Sequence, residues 1–343
     1  MPSLMNRFFT PVLPLVCVAL TVAQGCATPS SAPVAPAPIK LAGSALRPGS
    51  WIAVIGRGGA ADYWRLIHQG VVEGGKEAGV KVLWLRLADE GEAQAITDCL
   101  GKHVSGIVLA PSNEREAGPP VMRAEAAGVP VVLIDAGFKD IPVAATVETD
   151  NYRAGCLSGQ RTMELLNGKG SALVIGLHNA TENLNERQRG FVDTLKGSGI
   201  KILSGELPPG SASPNGVTAS ERLISQFDLV HHPDIAVVTM SASTSEAMLA
   251  ALEATSLGGK VKFVGFDATG PLIKGLNECK VDTLVAQNPR LIGYLGVKSM
   301  VTKLEGEYVD PDIKTDTMLV DRSNVKSQEV RALIAPPVNA SLP

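Results

Sequence analysis

The chain has 343 residues and a nearly balanced charge, with 31 basic residues, 34 acidic residues and a formal net charge of −3. It contains no run of basic residues, so we expect no nucleic-acid partner. Its length is sufficient for two lobes, each with a hydrophobic core of its own.

The first 26 residues have the pattern of an export signal. Arg7 precedes an apolar stretch, Phe8 to Ala23, which is short for a membrane span and is followed by small residues. Val22 to Cys26 is similar to the lipobox of bacterial lipoproteins, in which the cysteine is acylated and becomes the mature N-terminus. Ala23 lies where that motif prefers leucine, and cleavage without lipidation is the alternative. We expect residues 1–26 to be a signal peptide, Cys26 to be lipidated, and the protein to be periplasmic or at the cell surface.

Residues 27–50 are rich in alanine, proline and serine, a composition typical of an extended, solvated tether. From Trp51 onward, short β-branched runs alternate with amphipathic helical patterns. Several of the predicted helices end in glycine just before the next strand. This alternation predicts an α/β fold with parallel sheets. The predicted strands are Ile52–Ile55, Val80–Leu85, Gly106–Leu109, Val129–Ile134, Ala145–Val147, Ala172–Ile175, Ile200–Leu203, Ile235–Met240, Val261–Phe266, Thr283–Ala286 and Met318–Val320.

The loop after the first predicted strand has glycines at the spacing of a dinucleotide-binding turn. Gly56, Gly58 and Ala61 form a G-x-G-x-x-A pattern before a predicted helix. Such turns work with an acidic residue about twenty positions further on, which binds the ribose. The nearest candidate here, Asp89, lies too far along the chain, and export removes the protein from cytoplasmic NAD. We therefore expect no cofactor.

Polar residues follow most of the predicted strands, where ligands bind in parallel sheets. They are carboxylates, amides, hydroxyls and one aromatic pair. They include no Ser/His/Asp set at recognisable spacing, no G-x-S-x-G elbow, no P-loop and no cluster of metal-ligating His or Cys. This set predicts a protein that binds a polar neutral molecule, and neither an enzyme nor a metal site. The positions are Arg57 to Trp64, Pro111 to Asn113, Asp135, Asp150-Asn151, His178 to Arg187, Ser241 to Ser245, Asp267 and Gln287-Asn288.

Residues 265–300 resemble the C-terminal part of periplasmic sugar-binding proteins of the ribose-binding type. That family has a G-F-D-x-T turn followed by an A-Q-x-P-x-x-I-G-x-x-G segment. These correspond here to Gly265–Thr269 and Ala286–Gly296. The resemblance extends over about residues 51–322 and includes Asp150-Asn151, the R-x-x-G-F of residues 187–191 and the aromatic pair Tyr63-Trp64.

The resemblance implies a periplasmic-binding-protein-like fold of type I, in which two doubly wound parallel-sheet lobes are joined by three hinge crossings. The implied N-terminal lobe comprises residues 51–135 and 288–316. The C-terminal lobe comprises residues 136–287 and 317–335, and residues 336–343 form a tail.

Four residues carry the implied ligand site most directly. By the resemblance, Asp267 accepts ligand hydroxyls, Gln287 bonds the ligand beside a hinge crossing, and Tyr63 and Trp64 stack on a sugar. A structural alternative stays open for each of them. Asp267 could cap the next helix, Gln287 could stabilise the hinge, and the aromatic pair could pack below the rim of the cleft.

Other family positions have changed in this chain. A family aspartate falls at Asn113, the arginine that grips the ring falls at Asn185, and an Asn-Asp pair is replaced by a serine-rich segment with Ser243 nearest in register. Arg57 stands where a small hydroxyl residue is common. It favours an acidic group on the ligand, unless it pairs with Asp62.

Arg187 matches a family position that is usually structural.

Because of the changes in the second lobe, the ligand can be a sugar, a polyol or a sugar derivative.

The function implied by the resemblance is that of a monomeric substrate-binding lipoprotein of an ABC importer. It would capture its ligand by hinge closure and dock on a membrane permease. The alternative is an extracytoplasmic sensor that delivers its signal to a histidine kinase or chemoreceptor, and an exported enzyme is less favoured. Apart from Cys17 and Cys26, the chain has Cys99, Cys156 and Cys279, whose pairing stays open.

Overall fold

The structure is a computed structural model that describes residues 50–58, 61–87, 91–112, 114–177, 181–208 and 214–334. The predicted signal peptide with Cys26, the predicted tether up to residue 49, Asn113 and the predicted tail 336–343 lie outside the described residues.

Strands and helices alternate through most of this part of the chain. The strands are β1 (Trp51–Gly56), β2 (Lys81–Arg86), β3 (Gly106–Leu109), β4 (Val131–Ile134), β5 (Ala145–Thr149), β6 (Lys169–Leu177), β7 (Gly199–Leu207), β8 (Ile235–Thr239), β9 (Lys262–Phe266), β10 (Thr283–Ala286), β11 (Asp312–Thr315) and β12 (Met318–Val320). The helices are α1 (Ala61–Ala78), α2 (Glu92–Gly101), α3 (Glu114–Ala126), α4 (Asn151–Leu165), α5 (Glu182–Leu195), α6 (Pro214–Gln226), α7 (Ala242–Ala254), α8 (Gly270–Asn277), α9 (Pro289–Leu304) and α10 (Gln328–Ile334).

The strands form two six-stranded sheets of the same topology. The first has the order β2-β1-β3-β4-β5-β11 and the second β7-β6-β8-β9-β10-β12. Neighbouring strands are parallel, with the exception of β10 and β12, which are antiparallel. The predicted α/β fold with two doubly wound sheets is therefore confirmed.

Helices cover both faces of each sheet, so the central strands are buried apolar runs, as expected for parallel sheets. In the first lobe, α1 and α9 cover one face and α2 and α3 the other. In the second lobe, α4 and α5 cover one face and α6, α7 and α8 the other.

The chain passes between the two sheets three times, as predicted. It leaves the first sheet after β5 through α4, returns after β10 through α9, and crosses again between β11 and β12. Each of the two crossing helices packs in the lobe that it enters, α4 against α5 and α9 against α1.

One predicted lobe boundary is wrong, and one strand was not predicted. Placing residues 136–149 in the second lobe is wrong, because β5 pairs with β4 and β11 in the first sheet, with Val147 beside Ile134. The strand β11 was not predicted. Its sequence, Asp-Ile-Lys-Thr, is polar because it forms the edge of the sheet, where Asp312 and Lys314 are exposed.

Glycines bring each crossing helix very close to its partner. A Cβ atom built on Gly155 of α4 would lie 1.9 Å from the carbonyl oxygen of Arg187, and one on Gly190 of α5 would lie 2.1 Å from that of Tyr152. The pair α9 and α1 repeats this arrangement with Gly293 and Gly70. Gly155, and Gly190 of the R-x-x-G-F segment, are therefore required by backbone contact between helices.

Gly190→Ala should be strongly destabilising, since the added methyl group overlaps backbone atoms that have no rotamer with which to move away. We expect the free energy of unfolding to fall by at least about 1–3 kcal/mol in urea denaturation. Gly101→Ala is the matched control, because Gly101 also lies in a helix and a Cβ there meets no atom within 4 Å. That variant should be unchanged or more stable by about 0.5–1 kcal/mol. A Gly190→Ala protein as stable as the control would contradict the close-contact interpretation.

Candidate functional site

The carboxylate of Asp267 lies at the end of β9, where the second lobe faces the first. Its Oδ1 accepts a hydrogen bond from Gln287 Nε2 at 2.6 Å, and its Oδ2 accepts one from the Ala242 backbone N–H at 3.0 Å. Ala242 is the first residue of α7, which is capped by Ser241, so its N–H is available to a side chain outside the helix. Asp267 thus bonds the start of the preceding helix, whereas the N-cap of the following helix α8 is Thr269.

Burial raises the pKa of the Asp267 carboxyl to about 6, although the nearby Arg187 charge and the Gln287 hydrogen bond act to lower it. The negative charge of Asp135 raises this pKa further. At neutral pH the group is therefore a largely ionised carboxylate with only 7% of its surface exposed. Such an acceptor bonds hydroxyl and N–H donors more strongly than a solvated one.

Arg187, on α5, holds Gln287 in place. Its Nη2 donates to Gln287 Oε1, its Nε to Asn151 Oδ1 and its Nη1 to the Met240 carbonyl, each at 2.9 Å. The guanidinium is 3% exposed and lies 4.0 Å from the centre of the Phe266 ring. Because Gln287 Oε1 accepts from Arg187, the amide must direct its Nε2 to Asp267.

This network joins two of the three crossings between the lobes. Thr149 ends β5 and donates its hydroxyl to Gln287 Oε1 at 2.6 Å, and Asn151 begins the crossing helix α4. Gln287 itself lies between β10 and the second crossing helix, α9. A molecule that bonds Asp267 would therefore be connected to two of the three crossings through the side-chain amide of Gln287.

Tyr63 reaches the same site from the first lobe. Its hydroxyl donates to Asp135 Oδ1 at 2.5 Å, and burial, together with the charges of Asp135 and Asp267, raises the pKa of the phenol well above its usual value. Tyr63, Asp267 and Gln287 line one cavity of about 250 Å³ between α1 and the start of α8.

Trp64 packs in the core of the first lobe. It is 6% exposed and stands edge-to-face with Tyr63, with 5.4 Å between the ring centres. The structure also explains Gly56, because a Cβ at this position would lie 2.7 Å from the Trp84 ring and 3.4 Å from that of Trp64. The glycine at the start of the first loop therefore makes room for two indole rings.

Asn185 and Ser243 lie apart from the cavity lining. Asn185 is exposed on α5 and donates to Glu182 at 3.4 Å. Ser243, in the first turn of α7, is 3.2 Å from the Ser241 hydroxyl.

Arg57 donates to the Pro111 carbonyl at 3.4 Å. Burial raises the pKa of the Glu92 carboxyl, and the positive charge of Arg57 acts to lower it. Asp62, the partner considered for Arg57, pairs instead with Arg65 at 3.6 Å.

Several polar residues of this region were not predicted as ligand contacts, although Asp135, Asn151 and Asn183 lie among the polar positions that follow predicted strands. Asp135 stands after a strand as Asp267 does, but no family motif marked it. Asn183, on α5 of the second lobe, donates to the Asp135 backbone carbonyl at 3.2 Å. Thr149 is the last residue of β5, whose lobe was wrongly predicted, and Asn151 begins the helix that follows it.

Neither a metal site nor a disulfide is found in the part of the chain that the structure describes. Its His, Cys, Asp and Glu side chains form no cluster able to hold a metal ion, and Cys99, Cys156 and Cys279 are free. In the same residues, no helix has both the length and the apolar composition needed to span a bilayer.

A family model described as the periplasmic binding protein domain matches residues 52–308. The chain belongs to this family. The ribose import binding protein of Bacillus subtilis is 28% identical over 258 residues, which are 74% of this chain and 81% of that protein. The D-allose-binding periplasmic protein of Escherichia coli is 27% identical over 278 residues, 76% of this chain and 86% of that protein.

A solved structure, a carbohydrate transporter solute-binding protein of Agrobacterium radiobacter in complex with D-arabinose, superposes with a TM-score of 0.74. It is 25% identical and covers 83% of this chain and 99% of its own. The predicted resemblance to ribose-type binding proteins and the type I fold are confirmed. The relatives are binding proteins rather than enzymes, and the family is extracytoplasmic.

Proposed function

We propose that the protein is the substrate-binding lipoprotein of an ABC importer and captures a sugar, polyol or sugar derivative by closing its lobes. The observation that carries the proposal is the bonded series Asp267–Gln287–Arg187. It links a buried carboxylate on the cavity to both α4 and α9 crossings. Two of the relatives are a ribose import and a D-allose-binding protein, which supports the same conclusion.

Asp267 is the proposed main ligand contact. A carboxylate has about four acceptor positions, and two are used by Gln287 and Ala242, so hydroxyls of a ligand can occupy the others. The Tyr63 ring offers an apolar face for sugar C–H groups, while its hydroxyl stays bonded to Asp135. A ligand that touches both lobes stabilises the closed form, because the open form provides only one set of contacts.

The other predicted site residues have supporting roles in this proposal. Trp64 orients Tyr63 by edge-to-face packing. Contact of Asn113 and Ser243 with the ligand stays a prediction from the resemblance. Asn185 and Arg57 contact it only after leaving their present partners, Glu182 and the Pro111 carbonyl.

Lipidation of Cys26 is part of the proposal, with the Ala/Pro/Ser-rich residues 27–50 as a tether to the membrane. Cys26→Ser should release the protein from the membranes of its native host and leave ligand affinity unchanged, because the folded lobes begin after the tether. Fractionation of the host with immunoblotting measures the first effect and calorimetry the second. Membrane retention of the serine variant would refute lipidation.

Asp267→Ala should abolish most ligand binding. A thermal-shift screen of sugars and polyols first identifies a ligand, since saturation a hundredfold above the dissociation constant stabilises a protein by about 2.7 kcal/mol. Loss of two charge-assisted hydrogen bonds, about 1.5–3 kcal/mol each, should then lower affinity on the order of a hundredfold or more. Calorimetric titration of the variant measures the loss.

Asp98→Ala is the matched control, because Asp98 is exposed on α2, accepts a hydrogen bond from Gln94 of the same helix, and lies away from the cavity and from the crossings between the lobes. It should bind like the wild type. If Asp267→Ala also binds like the wild type but has a much lower melting temperature, Asp267 only stabilises the start of α7 and the ligand binds elsewhere.

A further inference from the structure

The lining of the cavity beside Asp267 combines polar groups with a set of apolar side chains. Asp267, Gln287 and Tyr63 line it together with aliphatic and proline carbons from α1, α8, α9, α10 and the loop before α8. A cavity in which a buried carboxylate and aliphatic side chains meet fits a molecule that has both hydrogen-bond donors and an apolar part. The apolar members of the lining are Leu66, Ala268, Ile273, Pro289, Leu333 and Ile334.

Polar groups in this lining are largely bonded to other parts of the protein. The Tyr63 hydroxyl donates to Asp135, and the Thr269 hydroxyl donates to Glu246 Oε1 at 2.6 Å. Asp267 is therefore the main acceptor that the lining offers to a ligand. A molecule with a hydroxyl on every carbon would leave some of them against aliphatic side chains without a partner, which is costly in a buried site.

The short helix α10 brings two of the aliphatic side chains to the cavity. Leu333 and Ile334 are its last two residues, and both are partly buried against the core of the second lobe. Val330 of the same helix is fully buried in that core and holds the helix in place. The helix lies beyond residues 52–308, which the family model matches. This part of the lining is therefore a feature of the present chain outside the matched domain.

Both lobes contribute to the apolar part of the lining, Leu66 from α1 and Ile273 from α8. The two helices meet at the rim, where Asp62 Oδ2 accepts a hydrogen bond from the Gly270 backbone N–H at 3.3 Å. Asp62 also pairs with Arg65, and these two side chains are about half exposed. An apolar group inside this rim would contact both lobes at once and would be removed from water when they close.

We propose that Leu333 and Ile334, together with Leu66 and Ile273, form a subsite for an apolar substituent of the ligand. The ligand is then a sugar that carries a small alkyl or aryl group, as in a glycoside, and it binds more tightly than the free sugar. This inference rests on the proposed function. It assigns the hydroxyl groups of the ligand to Asp267 and its apolar group to the end of α10.

Calorimetric titration of free sugars and of their own glycosides at pH 7.5 tests the subsite. The probes are D-glucose, D-galactose, D-xylose and D-ribose, each with its methyl and phenyl glycosides in both anomeric forms. The tightest ligand should be a glycoside. Its affinity should exceed that of its parent sugar by at least about tenfold, because the apolar group leaves water and the other ring hydroxyls are unchanged.

Two variants of α10 locate the effect. Ile334→Ser and the milder Leu333→Ala remove apolar surface from the cavity and leave Asp267 in place. Affinity for the tightest glycoside should fall by at least about fivefold, and affinity for its parent sugar should change by less than about twofold. Because both ligands are measured on the same variant, a general loss of stability would lower both affinities alike.

Ile202→Ser is the matched control. Ile202 lies on β7, is 37% exposed and is not part of the cavity lining, so this variant should keep both affinities. Thermal melting shows whether each variant is folded. If neither α10 variant folds, the comparison of glycosides with free sugars on the wild-type protein decides alone.

The outcomes separate this inference from the proposed function. A free sugar that binds as tightly as all of its glycosides overturns the inference and leaves sugar capture intact. A preference for the glycoside that is unchanged in the folded α10 variants does the same. Failure of every sugar and glycoside to bind overturns the proposed function and this inference with it.

Discussion

The three hydrogen bonds of Arg187 are the interaction on which the rest of the site depends. A buried guanidinium is tolerated only when its donors are satisfied, and here its partners are an amide of the first crossing, a backbone carbonyl and the amide of Gln287. Those bonds determine how Gln287 faces Asp267. The orientation of the carboxylate next to the cavity is thus determined by the segments about which the lobes would rotate.

The two lobes pack their crossing helices in the same way. In each, a helix that arrives from the other lobe packs against the first helix of the receiving lobe, with glycines at the contact. In each, the strand beside the crossing strand ends in an aspartate with positive φ. The two lobes are therefore repeats of one structural unit.

The sequence allowed most of the fold and part of the site to be predicted. Buried parallel strands are apolar runs, so they were found, whereas the polar edge strand β11 has no such pattern. Asp267 and Gln287 lie in motifs of the family and could be named. The role of Arg187 could not be predicted, because its partners Asn151, Met240 and Gln287 are 36, 53 and 100 residues away and meet it only in the folded chain. The bond between Tyr63 and Asp135 could not be predicted for the same reason, because 72 residues separate them in the chain.

Closure of the lobes around a ligand is the central claim, and small-angle X-ray scattering tests it most directly. The radius of gyration of the wild-type protein should decrease when a ligand confirmed by calorimetry is added to saturation, because two preformed lobes approach each other about the hinge. The Asp267→Ala variant at the same ligand concentration should show no decrease. An unchanged radius of the wild-type protein at saturation would contradict capture by closure and indicate a rigid pocket.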